Sequence, residues 1–156
     1  MKHFRLATLG LVAAGLIFAA GRPDLSGVWV MDLKQSDFGA VPPPDSLTRT
    51  IEHREPSLIF TDEQVSQLGP EKAVRKYTTD GKETTYEWTG STVRSAAHWD
   101  GDVLVTVGKV DAGGMDVLVT GRITLSSDGK VMTENDKVTT ADGTELAAFK
   151  IVLLKK

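Results

Sequence analysis

From Gly27 onward, apolar and polar residues alternate with period two in short runs, and tight-turn dipeptides punctuate the runs. Asp80-Gly81, Asp100-Gly101, Gly113-Gly114, Asp128-Gly129 and Asp142-Gly143 fall 13 to 20 residues apart, and Val, Ile, Thr, Tyr and Trp fill the intervals. Glycine accepts the positive φ of a hairpin turn, and Asp tolerates the same region with a local hydrogen bond, so each dipeptide between β-formers predicts a hairpin. With further runs at 27–33, 47–54 and 57–61, the chain reads as an all-β, antiparallel, up-and-down meander of about 8–10 strands. Such a meander removes its edges by wrapping into a closed or nearly closed barrel. Two stretches break the rhythm. Lys34 to Ser46 holds three consecutive prolines and predicts an ordered loop over one barrel end. Asp62 to Lys72 starts acidic and closes on Gly69-Pro70, which predicts a short helical turn at most.

Pairing across the turns assigns the faces. Around Asp80-Gly81, a two-residue loop sets Tyr77 opposite Thr84 and Arg75 opposite Tyr86. Ala73, Arg75, Tyr77, Tyr86 and Trp88 then share an aromatic face that points inward. Lys76 lies outside, between Glu83 and Glu87 as diagonal charge partners. The next hairpins gather Val93, Ser95, Ala97, Trp99, Leu104, Thr106, Gly108, Val110, Val117, Val119, Gly121 and Ile123 on one face. This set is uncharged and rich in small residues. Its reverse carries Arg94, His98, Lys109 and Arg122, with Val103, Val105, Val107 and Leu118 as an apolar outer patch.

Composition adds a compartment. Met1 to Arg5 is basic, Leu6 to Ala20 carries no charge, and Ala19-Ala20-Gly21 supplies small residues for a cut, so 1–21 reads as a secretory signal. The apolar run is shorter than the roughly 20 residues of a spanning helix. A retained anchor is the competing reading. The mature domain is then 24–156, exported to the periplasm or beyond the cell, with no membrane span. The chain has no Cys, which removes thiol chemistry, Cys-ligated metal and disulfides. A net charge of −3 with both signs interspersed gives no basic patch for nucleic acid. His53 and His98 are far apart and lack a carboxylate cluster, so no metal or other cofactor is expected. No catalytic frame is visible either.

Gly27-Val28-Trp29, at the start of the first strand, resembles the calycin group of lipocalins, fatty-acid-binding proteins and avidins. "LSGVWVMDLKQSDFG" looks like the opening of small exported bacterial lipocalin-like proteins. The resemblance implies a barrel in which the glycine permits close backbone approach and Trp29 plugs one end. It also marks two departures. Fatty-acid-binding proteins carry a helix-turn-helix lid where this chain has its proline loop, and lipocalins stack a C-terminal Arg on the tryptophan where this chain ends in lysines.

The candidate ligand-binding residues are Arg75, Tyr77, Tyr86, Trp88, Trp99 and Trp29. An inward Arg75 has three readings: stacking on the aromatic rings, anchoring a ligand carboxylate, or pairing internally with Glu134 and Asp136, which share the inward face of Ile123 and Gly121. The resemblance favours a carrier of a small apolar, fatty-acid-like molecule. The alternative is an envelope interaction or inhibitor module with a filled barrel, using the Val103/Val105/Val107 face for a protein partner or a second copy.

Overall fold

The computed structural model describes residues 21–88, 90–111 and 113–156. The apolar leader, residues 1–20, lies outside them. Ten strands follow in chain order: β1 (Gly27–Met31), β2 (Ser46–Arg54), β3 (Ser57–Ser66), β4 (Gly69–Thr78), β5 (Thr84–Trp88), β6 (Ser91–Asp100), β7 (Val103–Asp111), β8 (Asp116–Leu125), β9 (Val131–Thr140) and β10 (Glu145–Lys155). They form one antiparallel sheet in the order β4-β3-β2-β1-β10-β9-β8-β7-β6-β5, curled into a nearly closed barrel. Among the described residues there is no helix, and so none long and apolar enough to cross a membrane.

The seam lies between β4 and β5. Asp80-Gly81 does not close a hairpin ladder there; the chain crosses the barrel end instead, with Asp80 bridging to His98 and the Gly81 amide donating to the Ala97 carbonyl at 2.9 Å. Side chains replace the missing backbone bonds. The Thr84 hydroxyl donates to the Lys76 carbonyl at 2.7 Å, and Ser95 Oγ reaches the same oxygen at 3.1 Å. Tyr77 and Tyr86 meet edge to face across the gap, 6.1 Å between centroids. The expected Lys76 pairs with Glu83 and Glu87 are absent among the described residues. Pro70 is tolerated in β4 because that strand is an edge.

The expected helical turn over 62–72 is a hairpin. β3 and β4 pair from Ser57↔Thr78 out to Ser66↔Gly69, and Gly69 takes φ +101° after a two-residue loop. Period-two alternation of Leu58, Phe60, Asp62 and Gln64 sets the strand, and one acidic side chain on the inner face concealed it. The proline loop is ordered at its root. Asp37 resumes pairing with Lys150, and Phe38 stacks on Phe149 at 6.3 Å.

One end of the barrel is filled. Leu25, Trp29, Ile51, Leu58, Leu104, Ile123, Met132 and Leu153 are buried there as a continuous apolar core. Trp29 donates its indole N–H to the Leu25 carbonyl at 2.9 Å. Glu55 ties off the same end across the seam: it accepts from Trp99 Nε1 at 2.7 Å, from His53 Nε2 at 3.1 Å and from the Thr79 hydroxyl. Gly27 has φ +132°, and a Cβ there would stand 2.9 Å from Lys155 Cε. Gly27→Ala is therefore expected to cost about 1–2 kcal/mol through backbone strain, measured by urea unfolding, since the lysine tip can move but the backbone cannot.

On the outer wall, Val105 is only 7% exposed, flanked in register by His98 and Arg122, and Val103, Val107 and Leu118 are half-buried. The expected exposed valine patch is thus largely covered by its longer neighbours.

Candidate ligand site

The inner face of the barrel changes character halfway up. Above the apolar core sits a layer of five ionisable side chains. Arg49 follows from the alternation Leu47-Arg49-Ile51 on β2, Asp62 from β3, Arg75 from β4, and Glu134 and Asp136 from β9. Register brings them together: Arg49 stands opposite Asp62, and Phe60 opposite Arg75. Glu134 and Asp136 stand opposite Ile123 and Gly121.

Arg49 is 2% exposed and doubly engaged. Its Nε and Nη2 donate to Asp62 at 2.6 and 3.0 Å, and its Nη1 to Glu134 Oε2 at 2.5 Å. Arg75 donates from Nη2 to Asp62 Oδ2, the oxygen that also takes Arg49 Nη2, at 2.9 Å, and holds Nη1 3.5 Å from Glu134 Oε1. Both guanidinium carbons lie 5.1 Å from the Phe60 centroid, a contact worth about 0.5–2 kcal/mol each. Such desolvated charges persist only as a paired set.

Burial alone would raise Asp62, but the two guanidiniums outweigh it and hold the carboxyl at about 2. Glu134 is likewise held below the usual carboxylate range by Arg49 and Arg75, against its burial. Asp136 goes the other way: burial, then the Glu134 charge, push it well above the ordinary value. Two guanidiniums thus face two carboxylates held toward the charged form, while the third carboxyl is shifted toward its neutral form. Burial also raises the Tyr86 phenol, so it stays protonated.

Among the described residues, two buried atoms of the layer have no hydrogen-bond partner: Arg75 Nε, and Glu134 Oε1, which meets Arg75 Nη1 only as a 3.5 Å ion pair. Close packing beside them requires glycine at residue 121, because neighbouring side chains already stand where a Cβ would go. A Cβ there would fall 2.6 Å from Thr106 Oγ1 and 2.7 Å from Asp136 Oδ1, far inside contact distance, with Glu134 Oε1 at 3.8 Å.

Above this layer the barrel is a cup. Val119, Val138, Ala147 and Phe149 continue the inner face of β8, β9 and β10, yet they are half-buried rather than buried, as are Ala73 and Tyr86 across from them. Inward-facing side chains can stay exposed only where solvent reaches the inside. Val93, Val110 and Val117 pack as a smaller apolar cluster on one wall. Two further hollows, each about 440 Å³, lie elsewhere; one is bounded by β2, β3 and β4 beside the Gln67-Leu68 turn, the other by Pro23, Asp102 and Ser126 at the closed end.

No family model matches the sequence, and no curated protein does. Solved structures do match. Human cRBP IV aligns at TM-score 0.52 with 18% identity, over 85% of this chain and 98% of that one. A secretory abundant heat soluble (SAHS) protein from Ramazzottius varieornatus reaches TM-score 0.62 at 12% identity, over 84% and 94%. The fatty-acid-binding protein of Manduca sexta gives 0.51 at 18%, over 85% and 100%. The fold is that of the calycin barrels. Lys155 Nζ sits 5.2 Å from the Trp29 ring centroid. The proline loop follows β1, and its Phe38 stacks on Phe149.

The six residues singled out from sequence separate into three places. Arg75, Tyr77 and Tyr86 come together, with Phe60 meeting Tyr77 edge to face at 5.7 Å. Trp29 and Trp99 lie in the closed end. Trp88 has inward parity but ends the short β5 at the rim and is 43% exposed. Arg75 stacks on Phe60 instead of on Tyr77, Tyr86 and Trp88, and its internal partners are Asp62 and Glu134. Sequence reasoning missed Arg49, Phe60 and Asp62. The signal for Arg49 was present, because Leu47 and Ile51 flank it at spacing two.

Proposed function

We propose that this calycin barrel binds one small, largely apolar molecule in the cup, with the molecule's polar end on the charged layer and its apolar body along Val119, Val138 and Phe149. The unpartnered pair, Arg75 Nε and Glu134 Oε1, carries this reading. Leaving such groups desolvated and unmade costs about 1–3 kcal/mol each, which a seated guest or the water it displaces would recover. The calycin fold supports it, since two of the similar structures are, by name, a fatty-acid-binding protein and a complex of one with arachidonic acid. An exported setting follows the leader reading, and the activity is carriage or storage without turnover.

The test is fluorescence enhancement of Nile red, a neutral apolar dye. Binding should saturate at one dye per chain. Val119→Trp, which fills the cup from a half-buried position, should abolish the enhancement while the thermal unfolding midpoint stays within a few degrees. Undiminished dye binding by that variant would place the dye elsewhere and remove the basis of the proposal.

A further inference from the structure

The two ends of the barrel differ in what their turns present to solvent. In an up-and-down meander alternate connections share an end. The turns after β2, β4, β6 and β8 therefore lie at the Trp29 end, and those after β1, β3, β5, β7 and β9 surround the opposite mouth. The Trp29-end turns, 55–56, 79–83, 101–102 and 126–130, expose no large hydrophobic side chain among the described residues. The mouth connections and the strand ends that frame them expose Val41, Leu68, Trp88, Met115 and Leu146, and the first connection exposes Leu33 as well. Leu68, at the tip of the β3–β4 hairpin, is 100% exposed. We propose that this apolar crown seats the open end of the barrel on a zwitterionic lipid surface.

Single exposed apolar residues are ordinary on a soluble domain, but their confinement to one end is not. The sheet order sets these side chains round the rim on separate hairpins, with an opening at the centre. A protein partner binds best through anchors clustered at the middle of a patch, where they fill pockets and exclude water. A lipid layer makes no such demand. It yields to each side chain independently, and attachment grows with the apolar area taken from water. Trp88 suits the same partner, because its ring is apolar and its indole N–H favours the wet headgroup level.

Charge selects the kind of surface. Spans 32–45, 66–69, 88–91, 111–116 and 140–145 carry seven carboxylates and one lysine, Lys34. Lys109 and Lys137 reach two of the seven, Asp116 and Glu145, each at 2.8 Å. The rim is left negative. A second copy presenting its own mouth would meet like charge, and so would an anionic bilayer. Net-neutral heads with an outermost ammonium would not.

The experiment adds vesicles of phosphatidylcholine, of phosphatidylglycerol or of brominated phosphatidylcholine to the purified protein at low ionic strength. Cosedimentation and tryptophan emission are read together. The protein should bind phosphatidylcholine with an emission shift to shorter wavelength, and the brominated lipid should quench it. Binding to phosphatidylglycerol should be weaker, with the gap closing as salt is added. Trp88→Phe should lose the quenching, because Trp29 and Trp99 stand at the far end. Leu68→Asp should lower the partition coefficient at least about tenfold with an unchanged thermal midpoint. Absence of binding to phosphatidylcholine, or quenching that survives in Trp88→Phe, overturns the proposal. Tighter binding to phosphatidylglycerol overturns the zwitterionic assignment. A dimer in sedimentation velocity that Leu68→Asp separates would give the crown to a second copy instead. None of these readouts needs a guest in the cup, so failure here and failure of the Nile red test are distinct results.

Discussion

Glu134→Leu should destabilise the protein by about 3–5 kcal/mol in urea unfolding, a large part of the roughly 5–15 kcal/mol available to a domain. The substitution removes no packing volume of consequence. Its cost arises because Arg49, 2% exposed, would keep only Asp62 as counter-ion, and Arg75 would share that same carboxylate. One charge in excess is then buried within the barrel. The double variant Arg49→Met/Glu134→Leu should regain most of the loss, because it removes the excess charge and leaves Asp62 with Arg75. A cost below about 1 kcal/mol for the single variant would mean that water entering from the cup solvates the guanidiniums, and that the layer is held far less tightly than its distances imply.

The strands and their faces were legible because they are local. Period-two alternation and Asp-Gly turns are written within a few residues, and an even loop length preserves which face points inward even where the register moves. Beyond Asp100 the ladder runs Asp100↔Val103 and Trp99↔Leu104, so the two-residue loop is Gly101-Asp102, one position later than Asp100-Gly101, yet Ala97, Trp99, Leu104 and Thr106 all face in as expected. The pairing of Glu134 and Asp136 with the inward face at Ile123 and Gly121 is present for the same reason. What local pattern cannot register is closure. Whether Asp80-Gly81 joins a hairpin or spans a seam depends on β10 having already paired with β1, a contact separated by most of the chain. The charged layer was hidden by the same limit. Asp62 reads as helix-start chemistry on its own, and becomes an inner-wall residue only when Arg49, thirteen positions away, and Arg75 stand beside it. The carboxylate-anchor reading of Arg75 needed a free charge, and nothing local announced that Asp62 would occupy it.

Asp136→Asn should stabilise the protein at pH 7 by at least about 1 kcal/mol, and the gain should depend on pH in a definite direction. Asp136 feels the Glu134 and Asp62 charges against those of Arg75 and Arg49, and burial with the Glu134 charge raises it well above its ordinary value. A carboxyl whose folded pKa is raised favours folding only relative to its own ionisation. Below its unfolded value near 3.8 both states are protonated, and the group contributes nothing. As pH rises above that value the unfolded chain releases a proton that the folded chain retains, and stability falls by up to about 1.4 kcal/mol per unit until the folded group also ionises. Asn has the shape of the protonated acid and no such proton to lose, so the variant should be level with the parent near pH 4 and pull ahead on the way to pH 7. Asp62 supplies the internal control because its sign is opposite. Held at about 2 by Arg49 and Arg75, its contribution is complete above about pH 4 and is lost as pH falls toward 2, in parent and variant alike. Urea midpoints collected from pH 3 to 8 should therefore share one acid limb and diverge above it. Curves that stay parallel across the whole range would show that Asp136 is already ionised at neutral pH, and that the cup floor carries a net negative charge with room for a cation.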